Sequence, residues 1–224
     1  MKLAVLFSGG KDSCYALWKA QQYREHEVVC LITLVSKNPD SYLFHTPNIS
    51  LTEHQAKAIG LPIVIQETRG EKEEEIKELH KAILNAKKKY EIEGVVTGAI
   101  ASVYQSTRIQ KVCQELGVWC YNPLWQKNQE EYMQEILDAG FEIYISAVAA
   151  YPFTQEWLGK KITKKEVQQL IDWEKKYGLN PAGEGGEYET FVTNAPCFKH
   201  KLFIILKEKL FEGNAGRVVI KVKR

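Results

Sequence analysis

Leu3-Ala4-Val5-Leu6-Phe7-Ser8-Gly9-Gly10-Lys11-Asp12-Ser13 follows Met1 and Lys2 and decides the fold. Five apolar residues run straight into a short, polar, glycine-bearing turn. The run at 3–7 is too short for the apolar region of a secretory signal, and charges follow it at once. It predicts a first buried strand. Cys14, Leu17 and Trp18 share a helical face, so 13–23 is expected to be the first helix. In an open parallel sheet, ligands gather at the carboxyl ends of strands, where this turn lies. Two glycines permit a tight turn and close backbone approach, and the first N–H groups of the helix point outward at an anion. Ser8 and Ser13 add hydroxyl donors and Lys11 a positive charge. Asp12 is awkward beside a bare phosphate but sensible as a holder of Mg²⁺ that bridges to phosphate oxygens. The pattern is neither G-x-x-x-x-G-K-S/T nor G-x-G-x-x-G. An ordinary capped turn would explain a bare S-G-G; six residues in this order point to phosphate binding.

Outward from this turn, strand and helix signals alternate. Residues 28–34 are β-branched enough for a strand buried on both sides. Ser50-Leu51-Thr52-Glu53 reads as a capping box opening a helix that stops at Gly60. Further strands are expected at 63–65, 95–97 and 118–121. Between them run a helix over 71–90, with acids early and lysines late, and a helix carrying Ile109, Val112, Cys113 and Leu116. This alternation predicts an α/β fold, a parallel sheet with helices on both faces. After Pro123 the rhythm loosens. A short helix ends at Gly140, a strand spans 141–148, and Thr163-Lys164-Lys165-Glu166 is a second capping box before a helix ending at Gly178. A strand at 188–192 and a hairpin of 202–206 with 218–222 complete the pattern. The expected division is 1–125 and 126–224, the second a smaller mixed α+β unit. Trp119, Trp125, Trp157 and Trp173 are expected in the core or between the two units.

Composition bounds the functions. The 224 residues carry 30 Lys+Arg against 28 Asp+Glu, a net charge of +2, without the excess expected of a polybasic nucleic-acid binder. No apolar stretch reaches the roughly 18–20 residues of a membrane span. The five cysteines form no C-x-x-C pair and the five histidines are scattered, so zinc-ligand spacing is absent. Such cysteine use fits a reducing cytoplasm.

The turn Ser8-Gly9-Gly10-Lys11-Asp12-Ser13 resembles the S-G-G-x-D-S signature of the PP-loop ATP pyrophosphatase superfamily. The resemblance implies a Rossmann-like domain that cleaves ATP between its α- and β-phosphates and adenylates an acceptor. It also implies that Ser8, Gly9, Gly10, Lys11, Asp12 and Ser13 grip the outer two phosphates, with Lys11 and Asp12 catalytic. The acceptor stays open on this motif alone.

The second informative stretch is Gly183-Glu184-Gly185-Gly186-Glu187-Tyr188-Glu189-Thr190. A glycine turn entering a strand, with its acids facing water, would explain it structurally. Three carboxylates within six residues repel one another, however, and need a cationic or metal partner if they converge. The block resembles the C-terminal signature of the diphthine–ammonia ligase (diphthamide synthetase) branch. His45-Thr46-Pro47-Asn48, Gly98-Ala99-Ile100 with Ser102, Tyr104-Gln105 and Arg108, and Asn122-Pro123-Leu124-Trp125 fit that branch too. The resemblance implies ATP-dependent amidation of diphthine on translation elongation factor 2, through an acyl-adenylate, with AMP and pyrophosphate as products.

Under that resemblance, His45, Asn48 and Gly98 join the turn in binding nucleotide, and Arg108 pairs with a phosphate or the acyl-adenylate. Residues Glu184, Gly185, Gly186, Glu187, Tyr188, Glu189 and Thr190 bind substrate. The three glutamates, with Tyr188 or another ring, are expected to meet the trimethylammonium group of diphthine; ammonium capture by the same acids is the alternative. No glutaminase pattern is visible, so free ammonia is the expected donor. Oligomeric state stays open, a homodimer included. Competing functions are tRNA nucleoside modification on the same loop and a non-enzymatic ATP-binding module.

Overall fold

The computed structural model of the chain describes residues 1–36, 48–68 and 72–223. His45 therefore lies outside the described residues. Five parallel strands form the first sheet: β1 (Lys2–Leu6), β2 (Glu27–Ser36), β3 (Ile63–Thr68), β4 (Gly94–Val96) and β5 (Trp119–Tyr121). Their order is β3-β2-β1-β4-β5, so the direction of winding reverses beside β1. A crevice at that reversal is where open α/β sheets bind ligands, and β1 ends at Leu6, immediately before the quoted turn.

Leu3, Ala4 and Val5 are all fully buried, which explains why β1 reads as a continuous apolar run and does not alternate. Successive side chains still go to opposite faces. Ala4, Cys30, Ile32 and Val95 pack with Leu79, Ile83, Ile109 and Val112 of α3 (Lys72–Tyr90) and α4 (Val103–Glu115). Leu3, Val5, Leu31 and Val96 pack on the other face, with Leu17 of α1 (Lys11–Gln21) and Ile59 of α2 (Thr52–Ile59). The expected parallel sheet with helices on both faces is what the chain forms.

The second sheet is antiparallel, in the order β7-β6-β9-β8, from β6 (Glu142–Val148), β7 (Tyr188–Asn194), β8 (Ile204–Glu212) and β9 (Ala215–Val222). Helices α5 (Gln129–Asp138) and α6 (Lys164–Tyr177) accompany it. Its apolar face is continuous with the α1 side of the first sheet. Ile143, Tyr188, Val192 and Val218 share one cluster with Leu3, Tyr15 and Phe7. Both sheets are thus fastened to α1, whose first turn carries the motif.

Three expectations are corrected. Ser50 opens no capping box: a 3-10 turn at Ile49–Leu51 leads into α2, which has no side-chain cap. The box at Thr163 does form, with Glu166 accepting from the Thr163 backbone at 3.1 Å, a device worth about 1 kcal/mol. Helix α1 begins at Lys11, so Lys11, Asp12 and Ser13 are its first turn and not a loop. Trp119 stands on edge strand β5 and is 71% exposed, because no further strand covers that edge.

Candidate active site

The turn after β1 is held by the second sheet. Gly9 has φ +78°, a left-handed conformation that glycine tolerates best. A Cβ there would meet Gln55 Oε1 at 2.0 Å. Gln55 is fully buried, and its Nε2 donates to Gly9 O at 2.9 Å and to Val192 O at 2.8 Å. Val192 N donates to Gly9 O at 3.1 Å, and Lys11 N donates to Thr190 Oγ1 at 3.0 Å. Strand β7 therefore splints the turn. Ser13 Oγ lies 3.3 Å from Ser8 Oγ and donates to Gly10 O at 3.1 Å, so the two hydroxyls stand together.

The charges of the motif answer each other. Lys11 Nζ donates to Asp12 Oδ1 at 2.8 Å and Oδ2 at 3.0 Å, and also to Ala182 O. Lys11 is only 2% exposed, and its ammonium lies 5.4 Å from the Tyr188 ring centre and 5.8 Å from that of Tyr132. Tyr132, on α5, donates its hydroxyl to Asp12 Oδ1 at 2.8 Å. Burial first, then Asp12, holds the Tyr132 phenol well above its ordinary range, so it stays a donor. Neither Tyr132 nor Gln55 is among the residues expected at this site.

A cavity of about 720 Å³ opens over the motif. Ser8, Gly10, Lys11, Asp12 and Ser13 line one side, and Gly183, Glu184, Gly185, Gly186, Tyr188, Glu189 and Thr190 the facing one. Gly98, Tyr104, Gln105 and Arg108 complete the wall. The two sequence motifs, about 170 residues apart, therefore face one space.

The acids of the second motif do not converge. Glu184 Oε1 accepts from the backbone N–H of Ile100 at 3.3 Å and of Ala101 and Ser102 at 2.8 Å each. These donors precede α4, whose N-cap Ser102 accepts from Gln105 N, and a carboxylate suits that helix end. Glu187 accepts from Asn180 N at 2.9 Å, Asn180 Nδ2 at 2.7 Å and Gly185 N at 2.9 Å, closing its own loop. Among the described residues no three His, Cys, Asp or Glu side chains group to hold a metal. The expectation that three glutamates meet one cation is corrected: backbone donors satisfy two of them.

Tyr188 is also committed, buried with its hydroxyl donating to Pro181 O at 2.6 Å and its ring packed at a tilt against Phe153. Glu189 alone of the three glutamates makes no hydrogen bond or ion pair among the described residues, and it lines the cavity. Burial pushes its carboxyl up to about 7; Lys11 opposes this and Asp12 adds to it.

Arg108 stacks on the Tyr104 ring, its guanidinium carbon 3.4 Å from the ring centre, and its buried Nε has no partner among the described residues. That leaves a pre-oriented guanidinium on the wall, suited to an oxyanion. Gly98 serves backbone packing: a Cβ there would lie 2.8 Å from Asp12 C and 3.0 Å from Ser13 N. Asn48 does not face the cavity. Its Nδ2 donates to Val218 O and its Oδ1 accepts from Ile220 N, each at 3.0 Å, so its amide pairs with β9 as a neighbouring strand would.

Residues 1–120 match the family model described as the diphthamide synthase N-terminal domain, and 128–224 match the diphthamide synthase C-terminal domain. The diphthine–ammonia ligase of Rattus norvegicus is 36% identical over 232 residues, covering 95% of this chain and 86% of the rat protein. The Homo sapiens protein of that name is 34% identical over 223 residues, covering 91% and 83% respectively. Among solved structures, a predicted subunit of tRNA methyltransferase from Methanocaldococcus jannaschii aligns at TM-score 0.46 and 17% identity, over 88% of this chain and 98% of that one.

Proposed function

The chain belongs to the diphthamide synthase family, and we propose that it is an ATP-dependent amide ligase converting diphthine on translation elongation factor 2 to diphthamide. The observation that carries this reading is the single cavity between the turn at 8–13 and the segment at 183–190. A carboxylate is a poor electrophile because its leaving group would be oxide. Transfer of AMP to it from ATP supplies a good leaving group, and ammonia then displaces AMP.

In this reading, the serine pair Ser8 and Ser13, the Gly9–Gly10 backbone and the N–H groups of Asp12 and Ser13 in the first turn of α1 receive the outer two phosphates of ATP. Arg108, across the cavity, faces the phosphate nearer the acceptor. Asp12, which lines the cavity, fits Mg²⁺ even as a single protein ligand, since this ion takes most of its coordination from water and phosphate. Its oxygens are now spanned by Lys11, whose ammonium would yield that place to the metal. The bound ion would neutralise charge on the departing pyrophosphate. Tyr132 steadies Asp12 through its hydroxyl. The reading places the reaction in the cytoplasm, with the translation factor.

The test combines the protein, ATP, Mg²⁺, ammonium and an elongation factor bearing diphthine. AMP and pyrophosphate formed only with the factor, together with conversion of diphthine to its amide, is the expected result. ADP as the nucleotide product overturns the reading.

A further inference from the structure

Four carboxylates stand at or beside the cavity, and three are already spoken for. Asp12 is held by Lys11 and Tyr132, Glu184 by three backbone N–H groups, and Glu187 by Asn180 and Gly185. Glu189 remains. It lies between Tyr188, whose ring meets the Lys11 ammonium, and Thr190, whose hydroxyl receives the Lys11 N–H. It is therefore one residue from the splint that holds the phosphate-binding turn, and it lines the same cavity. A half-buried carboxylate without a donor is costly to keep ionised. A cationic ligand arriving in the cavity would offset that cost further than Lys11 does, whose ammonium makes its hydrogen bonds to Asp12 and Ala182.

Resting on the proposed amidation, we infer that Glu189 is the ammonium site of this enzyme and the acceptor of the first proton that ammonium gives up. Ammonium is the dominant form of ammonia at neutral pH and has no lone pair for attack. With one proton passed to Glu189, the nitrogen attacks the carbonyl carbon of the acyl-adenylate. The C–N bond forms, the C–O bond to AMP breaks, and AMP leaves with that electron pair. The second proton, on the new amide nitrogen, goes to the AMP phosphate or to solvent. Two protons leave ammonium in all, and no oxidant or further reactant is needed.

The test is Glu189→Gln in the full chain, which keeps size and polarity. Three readouts are compared with the unmodified protein: pyrophosphate–ATP exchange with the diphthine-bearing factor and no ammonium, amide formation from ammonium, and hydroxamate formation from hydroxylamine. Hydroxylamine is uncharged near neutrality and needs no proton removed before attack. The expected result is exchange retained, hydroxamate formation retained, and kcat/KM for ammonium reduced by about 10²-fold or more, the range for a lost general base. Four results overturn the inference. Ammonium kinetics could stay unchanged. Hydroxylamine could fail along with ammonium. Exchange could demand more Mg²⁺, which would make Glu189 a metal ligand. Exchange could demand more factor, which would make it a reader of the trimethylammonium group. Absence of exchange in the unmodified protein would instead refute the amidation reading itself, and this inference with it.

Discussion

The turn at 8–13 and the segment at 183–190 are both glycine-bearing, both charged and both on the same cavity, yet they spend their polar groups differently. In the first, backbone and hydroxyls face the open space while the lysine and aspartate pair with each other. In the second, two of three carboxylates turn back onto backbone N–H groups, and the buried tyrosine bonds a carbonyl. The difference teaches that clustered charge in sequence is not clustered charge in space. A carboxylate on a glycine loop is drawn first to unpaired amides nearby, since leaving them unpaired costs about 1–3 kcal/mol each. What survives for chemistry is the residue with no such amide in reach, here Glu189.

The largest effect should separate these roles at Asp12. Asp12→Asn keeps one acceptor oxygen, at the atom Lys11 and Tyr132 share, but removes the charge, so turnover should fall by roughly two to three orders of magnitude with a smaller loss of stability than truncation causes. Asp12→Ala should lose as much activity and also about 1–3 kcal/mol of stability, because it strands a buried ammonium and phenol. Steady-state AMP release and thermal melts read both. Equal stability in the two variants would show that the pair is not what keeps Lys11 buried.

Gly98→Ala comes next. Its Cβ would press on the Asp12–Ser13 backbone, which cannot swing aside as a side-chain end could. The start of α1 should shift by some tenths of an ångström, and kcat/KM for ATP should drop roughly 10- to 100-fold. A kinetically silent Gly98→Ala would mean that the turn tolerates displacement and is not a preset cradle.

The same contrast explains what was legible. The parallel sheet and the placement of the first motif follow from local signals: apolar runs, helical stripes and a glycine turn, all within about 20 residues. The site's supports are non-local. Gln55 reaches Gly9 across 46 positions, Tyr132 reaches Asp12 across 120, and Lys11 reaches Thr190 across 179. Tyr132 shares its buried helical stripe with Met133 and Ile136, so in sequence it is one more apolar residue of α5. Gln55 did leave a signal, a polar residue in line with Thr52, Ala56 and Ile59 on the buried face of α2. The capping box at Ser50 failed for the opposite reason: a local pattern was overridden when Asn48 was recruited by β9 and the chain entered α2 through a 3-10 turn.

Glu184 offers a smaller effect, on the second segment. Glu184→Ala releases three amides before α4, two of which water can reach, so the stability cost should be near 1 kcal/mol. Hydrogen exchange at Ala101 and Ser102 should quicken, and Glu184→Gln, which keeps an acceptor, should recover part of the protection. If exchange there stays slow in Glu184→Ala, the segment is held to α4 by its glycine backbone and not by this carboxylate.

The smallest effect is a pH dependence of stability at Glu189, and its sign follows from burial. The folded carboxyl titrates at about 7 against an ordinary 4.5, so between those values the folded state keeps a proton that the unfolded state has released. Stability from this group is fully present below about pH 4.5 and is lost as pH rises through about 7. The neighbours do not blur the window: Tyr132 and Tyr188 are held well above 10 by burial and stay neutral, while Lys11 remains tied to Asp12. Glu189→Gln has nothing to titrate there. Its melting temperature relative to the unmodified protein should therefore climb between about pH 5 and pH 8 and level off beyond. The cavity is open on one side, so the gap should reach only roughly 2–6 °C, less than the full shift would give. A gap that stays constant across that range would mean that Glu189 is ionised throughout and already partnered. It would then stand with Glu184 and Glu187 as a structural acid.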